Sequence, residues 1–273
     1  MKKLYKIFLP ILIVIPVFYI TAFYFFQEKL IFKAVKLQHE HVYNYNVPFK
    51  ELFLTPEPGV EINALHFQAK DPKGMVVYYH GQGGNLANRW DKVSRKFTDA
   101  GYDFFIMDYR TFGKSTGVLS EKALLDDASY IYKYCMQFFE EKDLIVYGCS
   151  LGTGIASFIG ATYQPKKVIL ESPYFSMVQL AQHTASYLPK AVIPLILKYH
   201  LRSDLWIEQI SSSLLILHGT ADKTIPYHMG KKLYEKSSQL PGNVVLTTLE
   251  AADHDEIASH PHTLQSLETH LLD

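Results

Sequence analysis

The chain has 273 residues, of which 48% are hydrophobic, 14% aromatic and 20% charged, a composition too apolar for a disordered protein. Its 27 basic and 27 acidic residues cancel, and arginine is confined to Arg89, Arg95, Arg110 and Arg202, which argues against a phosphate-neutralising, nucleic-acid-binding surface. Two cysteines, Cys135 and Cys149, exclude a disulfide scaffold and a full cysteine zinc site.

The first element is apolar and long. Residues 8–26 (FLPILIVIPVFYITAFYFF) carry no charge over 19 positions, enough for a helix of about 28 Å, close to the hydrocarbon thickness of a bilayer. Lys2, Lys3 and Lys6 precede it, and Gln27, Glu28 and Lys29 close it. Tyr19 and Tyr24 suit the membrane interface, and Pro10 and Pro16 are better tolerated in a membrane helix than in a soluble one. An uncleaved signal anchor over residues 1–30 is favoured over a buried soluble helix. It is also favoured over a cleaved signal peptide, because TAFYFFQEKL offers no small-residue cleavage pattern. Lysines flank both ends, and the three before the segment tilt the positive-inside balance toward a cytoplasmic N-terminus and an extracytoplasmic body. Without residues 1–30 the chain holds 23 basic and 26 acidic residues. That mildly acidic remainder, residues 31–273, is long enough for one substantial core.

Short apolar runs follow: a half-exposed alternating stretch at 59–68, then buried-strand runs at 75–79, 104–107, 144–147, 168–170, 214–217 and 244–249. Helix-like patterns occupy 88–99, 120–140, 151–163 and 230–239. Strands spaced by helices predict a mostly parallel sheet covered on both faces, with ligands at the carboxyl ends of its strands. Between Glu171 and Leu214 the rhythm breaks for about 40 residues, a length usually reserved for function. Apolar, helix-like patterns at 177–188 and 191–201 predict a lid over about 174–210.

The strongest chemical signal is Gly148-Cys149-Ser150-Leu151-Gly152, which follows an apolar strand and precedes a helix. G-x-S-x-G in that context is a nucleophile elbow, which projects Ser150 above the sheet. Its partners are expected in the order acid, then histidine. Asp222 lies in HGTADKTIP after one strand, and His254 lies in AADHDEI after the last. Of 12 histidines, His254 is selected by this position, whereas His228, His260, His262 and His270 are expected at the solvated surface. Glu171, at the end of an earlier strand, is the rival acid. Cys149 is expected to pack inward and not to act as a nucleophile. The glycine-rich HGQGGN (80–85) leaves backbone N–H groups free to face a ligand. In an acyl transfer the amides of Gln82 and Leu151 would form the oxyanion hole. His80 is expected to brace that loop from beneath, and Arg110 to bond an internal turn. A phosphate loop is disfavoured because no G-K-[ST] follows.

HGQGGN, DYRTFGKSTG (108–117), GCSLG, ESPYFS (171–176), HGTADKTIP and ADHDEI together resemble the α/β-hydrolase superfamily. More narrowly, the chain resembles the membrane-anchored α/β-hydrolase domain-containing branch, with features of serine aminopeptidase-like and monoacylglycerol lipase-like enzymes. The resemblance covers about residues 30–273. It implies an α/β-hydrolase fold with a helical lid after the sixth strand, Ser150 as nucleophile, Asp222 as acid, His254 as base, and Gln82 with Leu151 as oxyanion donors. No metal or organic cofactor is implied. Thr111 departs from the family's usual glycine. The expected activity is hydrolysis of an ester or thioester, with a lipid-derived or acylated substrate suited to the anchor and the apolar lid. The rivals are a serine aminopeptidase-like amidase and a catalytically silent, membrane-tethered binding protein.

Overall fold

The structure, a computed structural model, describes residues 2–88, 90–239 and 243–272, with side chains from residue 14 to residue 271. Arg89, Asp273 and the side chains of Lys2, Lys3, Lys6 and Pro10 lie outside the described residues.

Among the described residues eight strands form the main sheet. They are β1 (Phe49–Leu54), β2 (Ile62–Phe67), β3 (Met75–Tyr79), β4 (Asp103–Met107), β5 (Leu144–Cys149), β6 (Lys167–Glu171), β7 (Ser213–Gly219) and β8 (Val244–Leu249). Their order is β8-β7-β6-β5-β3-β4-β2-β1. Pairing is parallel from β4 to β8, and β2 runs antiparallel to both β1 and β4. In β3, Met75, Val77 and Tyr79 enter one core while Val76 and Tyr78 enter the other, because alternate side chains leave opposite faces of a strand. Both faces are covered, which is why these strands read as unbroken apolar runs.

The first face carries α3 (Glu121–Cys135), α4 (Gly152–Thr162) and α8 (Tyr227–Ser237); the second carries α2 (Trp90–Thr98) and α9 (Pro261–Leu272). Helix α3 buries Leu124, Ala128, Ile131 and Cys135 along one stripe. The Ser120 hydroxyl caps its N-terminus, accepting from the Ala123 amide at 3.1 Å. Each buried Leu or Ile contributes about 1.5–3 kcal/mol, so the stripe and the cap fix the helix on the sheet.

Strand β1 was not expected. Lys50 and Glu51 dilute the apolar signal of FKELFL, and every residue of this edge strand is half-buried or exposed. Counting it makes β6 the sixth strand. The excursion that follows holds α5 (Met177–Thr184), α6 (Ile193–Ile196) and α7 (Ser203–Trp206). The helix expected over 191–201 shrinks to four residues for tertiary reasons. The Lys198 amide donates to Gln27 Oε1 at 2.7 Å and the His200 amide to the Glu121 carboxylate, so neither is left for a helix.

Helix α1 (Lys2–Ile31) runs one residue past the boundary expected at residue 30. Its stretch Val14–Ile31 is long and apolar enough to cross a membrane and is mostly exposed, yet Phe23 and Gln27 are buried against the body. Two residues later Lys33–Ala34 pairs in parallel with Gly83–Gly84.

Three local expectations meet their outcome here. Thr111 has φ 73°, the left-handed region that glycine enters freely and that costs other residues about 1–2 kcal/mol. The turn is therefore kept with a β-branched residue in it. Arg110 does not merely bond its own turn. It makes a two-pronged contact with Asp127 in α3 (2.7 and 2.8 Å) and reaches Glu57 at 2.6 Å. His270 is buried, not solvated, because α9 packs on the sheet and Lys167 donates to the His270 carbonyl.

Candidate active site

Ser150 sits between β5 and α4 with φ 52°, and its amide donates to the Glu171 carbonyl at 2.8 Å. The flanking glycines are required by space. A Cβ on Gly148 would lie 2.5 Å from the Gly152 carbonyl oxygen, and one on Gly152 would lie 2.0 Å from that of Tyr79. Only bare backbone lets strand, turn and helix approach this closely.

The loop after β7 supplies Asp222, whose Oδ1 accepts from the amides of Thr224 (2.9 Å) and Ile225 (2.8 Å). Its Oδ2 lies 2.7 Å from His254 Nδ1, and His254 Nε2 lies 3.1 Å from Ser150 Oγ. The structure thus brings Ser150, His254 and Asp222 into one hydrogen-bonded chain. Burial would raise the Asp222 carboxyl, but hydrogen bonds from His218, His254 and the Ile225 amide outweigh it and hold the group well below the usual carboxylate range. For His254 burial favours the neutral ring, while the hydrogen bond and charge of Asp222 favour the cation and win, raising it above its ordinary value.

Two supports were not read from the sequence. Asp253 caps the turn that carries His254: its side chain accepts from the His254 amide at 2.8 Å, and Glu256 accepts from the Asp253 amide at 2.8 Å. Asp253 also accepts from the Lys223 amide at 3.2 Å, tying the histidine loop to the acid loop. The spacing Asp253 to Glu256 is a capping-box pattern that could have revealed this. His218 is fully buried, with Nε2 donating to the Ile225 carbonyl at 2.9 Å and lying 3.5 Å from Asp222.

Glu171, the rival acid, is occupied elsewhere: it accepts from the Tyr147 hydroxyl and from the Cys149 thiol. Burial pushes the Cys149 thiol well up, away from thiolate nucleophilicity. His80 lies beneath the glycine-rich loop, with Nδ1 2.8 Å from the Gly81 carbonyl. Burial lowers it to about 4 despite backbone hydrogen bonds, so the ring is a neutral brace. Tyr109 donates to the His80 carbonyl at 2.7 Å. The amides of Gln82 and Leu151 meet no protein acceptor among the described residues, and both residues line the same cavity as Ser150.

That cavity measures about 380 Å³. Tyr174, Met177 and Leu180 of the excursion wall it on one side, and Phe23, Gln27, Leu30 and Ile31 of α1 wall it on another. None of its described lining residues is charged. Phe23, Gln27 and Leu30 were missed because residues 1–30 were assigned to the membrane anchor alone; Gln27, the polar member of these three, was the available signal. No group of three or more His, Cys, Asp or Glu side chains is arranged to hold a metal ion among the described residues.

The family described as serine aminopeptidase, S33, matches residues 70–205. Lysophosphatidylserine lipase ABHD12 of Danio rerio is 30% identical over 222 residues, covering 68% of this chain and 58% of that protein. Protein ABHD12B of Homo sapiens is 28% identical over 250 residues, covering 78% of this chain and 67% of its own length. The chain therefore spans less than two thirds of the first of these relatives. Among solved structures, the Pyrococcus furiosus esterase Pf2001 superposes with a TM-score of 0.66 at 19% identity, covering 88% of this chain and 97% of that one. The fold, the order of its motifs and these relatives together place the chain in the α/β-hydrolase superfamily, in its α/β-hydrolase domain-containing branch.

Proposed function

We propose that the chain is a membrane-tethered serine hydrolase that cleaves carboxylic esters or thioesters of lipid-derived or acylated substrates. Ser150 Oγ attacks the carbonyl carbon while His254 Nε2 takes its proton, and Asp222 holds the imidazole tautomer. The amides of Gln82 and Leu151 stabilise the oxyanion, at about 3–4 kcal/mol per donor. Collapse expels the alcohol or thiol, which leaves with the proton from His254. A water molecule deprotonated by His254 then releases the acid and restores Ser150.

The observation that carries this reading is an ordered Ser150–His254–Asp222 chain opening on a cavity with no charged lining side chain. A free α-amine would need a carboxylate there. The two carboxylates of the excursion are taken: Asp204 by Arg202 at 2.7 and 2.8 Å, and Glu208 by Lys236 at 2.7 Å. Neither lines the cavity, which favours ester cleavage over the aminopeptidase reading. The Danio rerio relative is named a lysophosphatidylserine lipase, which makes lysophosphatidylserine the first lipid ester to assay. On this reading residues 1–30 anchor the protein, residues 31–273 form an extracytoplasmic hydrolase body, and residues 174–210 form its lid. A fluorophosphonate probe is expected to label the full chain and to leave Ser150→Ala unlabelled. Equal labelling of that variant overturns the assignment and with it the acyl-enzyme.

A further inference from the structure

The α1 helix does more at its body end than a tether requires. Gln27 is fully buried in it, and both ends of its amide are spent on the excursion between β6 and β7. Nε2 donates to the Ile196 carbonyl at 3.0 Å, and Oε1 accepts from the Lys198 amide at 2.7 Å. A glutamine in lipid would leave these groups unsatisfied, which is costly; docked here, it has every partner. One turn before Gln27, Phe23 is buried at 8% exposure and lines the cavity above Ser150; one turn after it, the more exposed Leu30 and the half-buried Ile31 line the same cavity. Two turns before it, Tyr19 meets Tyr187 of the excursion with ring centroids 5.9 Å apart. Tyr187 also lines the cavity. Gln27 lies eight helical steps beyond Tyr19, a rise of about 12 Å. The cavity therefore borders α1 from Ser150 out to the stretch whose other faces, such as Phe18 and Phe25, are exposed and apolar.

We propose that the last turns of α1 form one wall of the acyl-binding pocket, so that the tethering helix also selects which acyl chains reach Ser150. This rests on the serine hydrolase reading above. A second observation connects the same helix to the oxyanion loop. Directly after α1, the Lys33 amide donates to the Gln82 carbonyl at 2.7 Å, and Lys33–Ala34 pairs with Gly83–Gly84. The position of α1 is thus coupled both to the pocket wall and to the loop that faces the substrate carbonyl.

The experiment uses the full chain reconstituted in phosphatidylcholine vesicles, with p-nitrophenyl acetate, octanoate and palmitate as substrates. The readout is the ratio of kcat/KM for long over short chains. Phe23→Ala enlarges the wall and is expected to change that ratio by about tenfold, the scale of one or more methylene contacts in an apolar pocket. Leu30→Trp, at a position 56% exposed and so tolerant of bulk, narrows the pocket and is expected to move the ratio toward short chains. Phe25→Ala, on the lipid-facing side at 67% exposure, is expected to leave the ratio at the wild-type value. Unchanged ratios in both Phe23→Ala and Leu30→Trp, with fluorophosphonate labelling intact, overturn the pocket-wall proposal and leave the serine hydrolase standing. Equal movement of the ratio in Phe25→Ala overturns it as well, since the effect would then belong to the membrane. Absence of labelling in the wild type removes the proposed function, and this inference with it.

Discussion

His254 is where opposing effects are most finely set. Burial disfavours the imidazolium, and the Asp222 carboxylate at 2.7 Å more than offsets this. In the proposed mechanism His254 must be neutral to accept the Ser150 proton, so kcat/KM should fall as pH drops through a value above the ordinary histidine 6.5. In Asp222→Asn burial is left without its main opponent. The acid limb should then move to lower pH, and kcat should fall by about 10⁴ because the tautomer is no longer held. Glu171→Gln should have a far smaller effect on kcat, since Tyr147 and Cys149 already occupy that carboxylate. A pH–rate profile on a soluble ester decides between the two acids; an acid limb that stays in place in Asp222→Asn refutes this role. These residues were legible because an elbow, an acid loop and a histidine loop each sit at a strand's carboxyl end. His218 and Asp253 were less so, since their contribution is made through partners that a linear pattern does not pair.

Among elements, the parallel interior strands could be read because coverage on both faces leaves continuous apolar runs at their centres, with polar residues such as Asp103, Lys167 and Glu171 confined to their ends. Edge strand β1 could not, since lysine and glutamate are compatible with its half-exposed position. The excursion was misread in its second half for a different reason. Residues 191–201 are apolar enough for a helix, but Gln27 and Glu121 capture the amides of Lys198 and His200. Tertiary partners overrode local periodicity there. Arg110 shows the same limit, because its partners lie 17 and 53 positions away. It holds α3, the Thr111 turn and the β1–β2 loop together through one nearly buried guanidinium. Removing Asp127 leaves the nearly buried guanidinium with only the exposed Glu57 carboxylate as its charged partner, so Asp127→Ala should cost about 3 kcal/mol, the low end for a broken buried pair. The double variant Arg110→Met, Asp127→Leu should recover much of that loss, because apolar replacements remove both desolvation penalties. Denaturant unfolding of the detergent-solubilised chain measures both, and a loss in Asp127→Ala below about 0.5 kcal/mol, the range of ordinary surface changes, would contradict the bridge.

At the scale of the whole molecule, the neutral sum of charges conceals a basic N-terminal segment and a mildly acidic body. Composition could reveal that division, but not that the segment folds back into the body's chemistry through Phe23, Gln27 and Leu30. If α1 both spans the bilayer and walls the pocket, an acyl substrate dissolved in that bilayer meets Ser150 by lateral diffusion. Its effective concentration is then set by its mole fraction in the membrane, not by the bulk amount. Consider the chain reconstituted in vesicles at constant bulk concentration of a long-chain lysophospholipid. Adding inert phosphatidylcholine dilutes the substrate in the surface while leaving the total unchanged. The turnover rate at subsaturating substrate should fall in proportion to mole fraction, whereas hydrolysis of p-nitrophenyl acetate, delivered from water, should hold steady. Exchange of the lysophospholipid through water would give the opposite pattern, a rate that follows bulk concentration whatever the dilution in the surface. That result would mean the pocket fills from solution and that proximity of α1 to the cavity does not define the route of entry.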